Sequence, residues 1–287
     1  MRIVTNERIR SFEKYLLEQE RADATIEKYI RDVRAFKALL CGKSIRKIDV
    51  LSYKEKLKET YAPASVNSIL SSLNSFFVFC EWHELKVKTL KIQRQIFAQS
   101  SKELTKEEYK RLLDAAKSKG NRKLYYLMQT ICSTGIRVSE LKYITVESIK
   151  KESAYISLKG KMRVVIIPQA LCKMLLKYAK EENIVSGSIF ITSKGNPIDR
   201  SNIWKLMKNL CEAAGVSKDK VFPHNLRHLF ARTYYSLRKD IVRLADVLGH
   251  ANINTTRIYT METGEIHRTQ IQNDVTHIFI IVLCLIW

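Results

Sequence analysis

Between Val87 and Lys102 the hydrophobic pattern of this chain stops, and it restarts at a new helix signal. Before the break, apolar residues recur at helical spacing: Ile9, Phe12, Tyr15, Leu16 and Leu17, then Ile26, Tyr29, Ile30, Val33, Phe36 and Leu39, then Val66, Ile69, Leu70, Leu73, Phe76, Phe77 and Phe79. This periodicity predicts helices beginning at Thr5, over about 24–40, over about 50–59 and from about 64, enough for a small bundle. The break holds Lys88, Lys91, Arg94, Gln99 and two serines and reads as a linker. After it, Thr105 and Glu108 stand three apart, the spacing of a capping box in which each side chain satisfies an unpaired amide of the helix start. One core cannot run through such an interruption. The expected layout is a helical domain over 1–94, a linker over 95–102, a second domain over 103–277 and an apolar tail over 278–287.

The second domain is expected to be helical with a small strand insert. Residues 123–132 form an apolar helix that stops at Thr134-Gly135. The β-prone runs 154–158 and 162–167 flank a Lys159-Gly160-Lys161 turn and predict a hairpin. A helix over 171–179, a short strand over 188–192 and helices over 201–214, 225–237 and 241–248 follow. Asn254 or Thr255 is expected to cap a last short helix carrying Tyr259. The fold class is mainly α with a small β-sheet.

The formal charge of +21 is spread along the chain, which favours a polyanionic partner. In the first domain Lys28, Arg31, Arg34, Lys37, Lys43, Arg46 and Lys47 lie between the core positions. They form either solvated helix faces or one DNA-facing side. The six cysteines make no C-x-x-C pair and no zinc-finger spacing with histidine, and they read mostly as buried thiols. No secretory leader is legible, so a cytoplasmic setting is expected. The tail from Ile278 to Trp287 is too short to span a bilayer, and no membrane association is expected. That tail is either a segment that docks into a neighbouring subunit or an atypical end of the reading frame.

A set of basic residues ending in one tyrosine carries the chemistry. Arg137 follows Thr134-Gly135, and Lys159 sits at the hairpin turn. His224 and Arg227 form H-x-x-R, one helical turn apart on one face, and His250 precedes Tyr259 by nine residues. Attack of an oxygen on a phosphodiester puts negative charge on the non-bridging oxygens, which forked guanidinium groups match. A phenol with an ordinary pKa of about 10 needs help to lose its proton, and the leaving 5′ oxygen needs one in return. No phosphate-binding G-x-x-x-x-G-K-[ST] loop and no compelling carboxylate cluster for two-metal chemistry is present, so neither a nucleotide cofactor nor a metal is expected.

In this order and with these local contexts the residues resemble the tyrosine recombinases of the phage-integrase family. The segments that carry the likeness are 104–115, 133–141, 158–168, 223–231 and 244–259; the first domain resembles the family's core-binding domain by size and pattern. The resemblance implies that Arg137 and Arg227 clamp the phosphate, Lys159 is the general acid, His224 and His250 assist and Tyr259 is the nucleophile. It also implies that Glu140 supports Arg137. The turn is one residue shorter than the family's common form, which leaves Lys161 as the alternative acid. The family's two domains close on double-stranded DNA as a clamp. Four copies act on paired sites, in some systems with accessory DNA-bending or excision factors, as in integration or excision of mobile DNA. A relaxing enzyme like a type IB topoisomerase and a DNA-binding regulator without chemistry are the alternative functions.

Overall fold

A computed structural model describes residues 2–92, 102–158 and 161–260, without the side chains of Leu158 and Lys161. The chain divides into two compact units, Met1–Arg94 and Gln95–Trp287.

The first unit is built from α1 (Asn6–Glu18), α2 (Asp23–Leu40), α3 (Lys47–Thr60) and α4 (Pro63–Phe79). Thr5 caps α1, accepting from the Arg8 amide. Phe12, Phe36, Phe76 and Phe77 are fully buried at the centre, with Phe76 edge-on to Phe12 at 5.3 Å and to Trp82 at 6.0 Å. Edge-to-face rings add directional packing to ordinary apolar burial. One charge enters this core: Asp32 of α2 is buried, paired with Lys28 Nζ at 2.9 Å and accepting from Ser72 Oγ of α4 at 2.8 Å. A buried carboxylate must be satisfied this way, so Asp32 also fixes how α2 meets α4. Asn67 and Asn74, two helical turns apart on α4, each exchange two hydrogen bonds with the backbone of the departing chain, at Leu90 and Val87 respectively.

The second unit contains α5 (Lys106–Ser118), α6 (Arg122–Thr134), α7 (Val146–Lys150), the hairpin β1 (Ser153–Leu158) and β2 (Lys161–Ile166), α8 (Gln169–Glu181), α9 (Arg200–Lys208), α10 (Cys211–Ala214), α11 (Pro223–Arg238) and α12 (Ile241–Leu248). The capping box of α5 is formed on both sides. Leu124, Leu127, Met128 and Ile131 of α6 are fully buried in the main core, joined by Leu226 and Leu229 of α11. A second, smaller core consists of Ala231, Leu244, Leu248 and Tyr259. The N-terminal half of α11 therefore serves one core and its C-terminal half begins the other. The strands pair antiparallel, Ser153 opposite Ile166 through Leu158 opposite Lys161. Ala154, Ile156 and Val165 face inward and are buried, while Tyr155, Met162, Val164 and Ile166 are exposed.

Several expectations need correcting. Residues 188–192 form isolated bridges, Ser188 with Thr145 and Ile191 with Pro197, because they pair with loops and not with the hairpin. The helix expected over 201–214 divides into α9 and α10, with a turn at Asn209–Leu210. Neither Asn254 nor Thr255 caps the turn holding Tyr259. Asn252 caps a 3-10 turn over Ile253–Thr255, and a second over Arg257–Tyr259 follows Thr256 without a side-chain cap. Cys172 and Cys211 are buried, but Cys41 is exposed at the left-handed end of α2.

Candidate active site

Two helices end in left-handed glycines that face each other across Arg227. Helix α6 stops at Gly135 (φ 63°) and α12 at Gly249 (φ 63°). A Cβ on Gly135 would lie 2.4 Å from Phe230, and one on Gly249 would lie 2.3 Å from Cδ of Arg163, so both turns require glycine for space as well as for backbone. Each terminus leaves carbonyls without helical partners, and each carries the partial negative charge of a helix C-terminus. Arg227, almost wholly buried on α11, answers both: Nη1 donates to the Gly135 carbonyl and Nη2 to the Leu248 carbonyl at 2.8 Å. Its Nη2 also lies 3.0 Å from His250 Nε2, and His250 Nδ1 lies 2.9 Å from Oγ1 of the fully buried Thr256. Burial pushes the Arg227 pKa down to about 10, helped by the charge of Arg137 and opposed by Tyr259, which leaves the group a cation at neutral pH.

Arg137 follows the Gly135 turn. Its Nη1 pairs with Glu140 Oε1 at 3.0 Å, its amide donates to Oε2 at 2.9 Å, and its Nη2 reaches the Gly249 carbonyl at 3.4 Å. Glu140 is buried, which by itself raises a carboxylate's pKa. Hydrogen bonds from Arg163 and from Arg137 outweigh that and hold it below the ordinary value. Arg137 itself stays partly exposed, with a side-chain accessibility of 37%. One arginine is therefore locked within the fold and the other is presented.

Tyr259 is 3% exposed. His250 stacks nearly parallel to its ring, 6.2 Å between centroids, and His228 meets it edge-on at 4.8 Å. His228 in turn packs edge-on to His224 at 4.4 Å, one turn back along α11. His224 is exposed. Partial burial and the charges of Arg227, Arg137 and Arg200 lower its pKa. Burial, with smaller contributions from His224, Arg232 and Arg227, pushes His228 down to about 4. Burial, with Arg227 and Arg137, brings His250 to about 4. All three rings are neutral at pH 7 and can each accept a proton or a hydrogen bond.

The structure thus brings Arg137, Glu140, His224, Arg227, His250 and Tyr259 into one constellation. Lys159 lies outside the described residues, and Lys161 is placed only by its backbone, at the start of β2. Three neighbours were not anticipated from sequence. His228 and Thr256 each sit beside a motif residue and carry no separate signal. Arg163 had one: it occupies an inward position of β2, opposite Ile156 and two residues from the buried Val165, where alternation calls for an apolar side chain.

The phage integrase family model matches residues 102–265, and the phage integrase N-terminal SAM-like domain matches residues 9–84. The tyrosine recombinase XerA of Pyrococcus furiosus is 30% identical over 271 residues, covering 91% of each chain. A lambda integrase dimer bound to a core site superimposes with a TM-score of 0.74 at 21% identity, covering 91% of this chain and 96% of that one. A lambda integrase tetramer bound to a Holliday junction gives 0.72 at 20% identity, covering 88% and 76%. This chain belongs to the phage integrase family and is a tyrosine recombinase, a site-specific DNA strand transferase.

Proposed function

We propose that the chain breaks and rejoins DNA through a 3′-phosphotyrosyl intermediate, with Tyr259 as the nucleophile. The Tyr259 oxygen attacks the scissile phosphorus, and the bond from phosphorus to the 5′ oxygen breaks. The phenol proton passes to His224, and a lysine of the hairpin, Lys159 or its alternative Lys161, protonates the departing 5′ oxygen. Arg137, Arg227 and His250 bear on the non-bridging oxygens, where the charge builds. Attack of a 5′ hydroxyl on the phosphotyrosine reverses these steps. The phosphodiester energy is conserved in the ester, so no nucleotide is consumed.

The single observation that carries this reading is the meeting of two guanidinium groups, neutral histidines and a tyrosine at two helix C-termini. Glu140 and three backbone carbonyls already orient the cations, so little reorganisation remains when a phosphate arrives. We further propose that the two units are the two jaws of a clamp on duplex DNA and that four copies act on paired sites in integration, excision or similar recombination. The DNA-bound dimer and tetramer of similar fold support that assembly.

Tyr259→Phe keeps the ring against His228 and His250 and removes the nucleophile. A nicked random-sequence duplex pool is incubated with parent and variant and run on a denaturing gel. The parent is expected to retain DNA covalently through the 3′ phosphate, leaving a free 5′ hydroxyl, and the variant to bind DNA without retaining it. Covalent retention by the phenylalanine variant, or none by the parent, overturns the assignment.

A further inference from the structure

We propose that Arg163 is a positioning residue for strand cleavage, tying the hairpin that carries Lys159 and Lys161 to both halves of the phosphate clamp. The inference rests on the reaction proposed above and assigns a residue outside that reaction's set. Arg163 belongs to β2, two residues beyond Lys161. From that inward position its Nη2 pairs with Glu140 Oε2 at 2.6 Å, on the same carboxylate that orients Arg137. Its Nη1 donates to the Val247 carbonyl of α12 at 2.9 Å, three residues before His250. Its methylene stem lies against Gly249, where a Cβ would come within 2.3 Å of Cδ. One side chain therefore touches the hairpin's own strand, the carboxylate behind Arg137 and the helix end that presents His250.

The energetics favour a coupled unit over three independent contacts. Glu140 is buried and shared by two arginines, so losing either side chain removes one of the three hydrogen bonds that satisfy a buried carboxylate. Arg163 is itself only 14% exposed, and its Nε has no hydrogen-bond partner among the described residues. Its two Nη groups reach two different elements at once. A shift of the strand by about 1 Å would break both bonds, and misplacement on that scale costs about a hundredfold in rate.

The test compares four full-length proteins: parent, Arg163→Ala, Gly249→Ala, and the two substitutions combined. The readout is the first-turnover rate of covalent complex on a nicked duplex that the parent captures from a random pool. A second duplex carries sulfur in place of the bridging 5′ oxygen, so that the leaving group departs without a proton. Arg163→Ala is expected to slow cleavage about a hundredfold with DNA affinity unchanged. The sulfur duplex is expected to restore part of that loss, because a misplaced hairpin lysine no longer matters. Gly249→Ala, which drives Arg163 from its seat and also strains a left-handed residue, is expected to slow cleavage likewise, and the combined defect to be smaller than the product of the two. Parental cleavage by Arg163→Ala overturns the inference. So does a slow Arg163→Ala that gains nothing from sulfur and whose defect multiplies with that of Gly249→Ala. If Arg163→Ala does not fold, Arg163→Lys and Gly249→Ala on the two duplexes carry the same decision. A parent that forms no covalent complex removes the proposed reaction, a different failure from either of these.

Discussion

At the scale of single residues, the site is organised by what burial does to charge. Arg227 is a buried cation kept ionised by carbonyl oxygens of two helix ends, and Lys cannot replace it, having the charge without the fork. Arg227→Lys is expected to lower first-turnover cleavage by at least about a hundredfold, the usual result of removing one donor to a developing oxyanion. DNA binding measured at low salt should change little. Cleavage at the parental rate would take Arg227 out of the clamp. The histidines make a second expectation. His228 and His250 have folded pKa values near 4 against an ordinary 6.5, so between those values the unfolded chain binds protons that the folded chain does not. Stability is then full above pH 6.5 and falls as the pH drops toward 4, by at most about 1.4 kcal/mol per pH unit for each ring. Glu108 and Glu140, held below the ordinary 4.5, add their loss only at lower pH, so pH 5 to 6.5 isolates the histidines. Urea midpoints taken across that window should decline with acidity, and His228→Gln should make the decline shallower while His250 keeps its share. A level parental profile would contradict it.

At the scale of elements, the site depends on where helices stop. Gly135 ends α6, offers its carbonyl to Arg227 and lies under Phe230. Gly135→Ala would strain a left-handed residue and force Phe230 aside. We expect a loss of about 1–3 kcal/mol in thermal or urea unfolding and a fall in cleavage larger than the stability change explains. Full activity with unchanged stability would show that the turn tolerates a side chain. The same elements show what the sequence could disclose. Helical periodicity and the Thr105–Glu108 box located α1 to α6 because apolar residues recur along them and α1, α5 and α6 are capped by their own side chains. The split between α9 and α10, the bridges over 188–192 and the 3-10 turns around Tyr259 depend on contacts with distant loops, which no local pattern records. Arg137, His224, Arg227, His250 and Tyr259 could be proposed from sequence because H-x-x-R is one helical turn and the ordered set resembles the phage-integrase pattern. His228 and Thr256 contact those residues and became visible only when packing brought them together, whereas Arg163 left a signal, a charge at an inward position of β2.

At the scale of the molecule, the charge of +21 dominates encounter with DNA. Each phosphate neutralised releases counterions, so log affinity should fall linearly with log salt at about −0.9 per contact. A steep slope is expected for the parent and an equally steep one for Tyr259→Phe, whose cations are intact. Binding that stays level from low to moderate salt would remove the polyanion reading.

The division of the second unit into two apolar cores bears on how the proposed nucleophile is stored. Tyr259 is held by Ala231, Leu244 and Leu248, a group that shares only α11 with the large core. A fluctuation that loosens α12 and the turns after it would free the phenol while α6 and the N-terminal half of α11 keep their packing. The proposed nucleophile thus sits in the smaller of the unit's two cores, and exposing it need not disrupt the larger one.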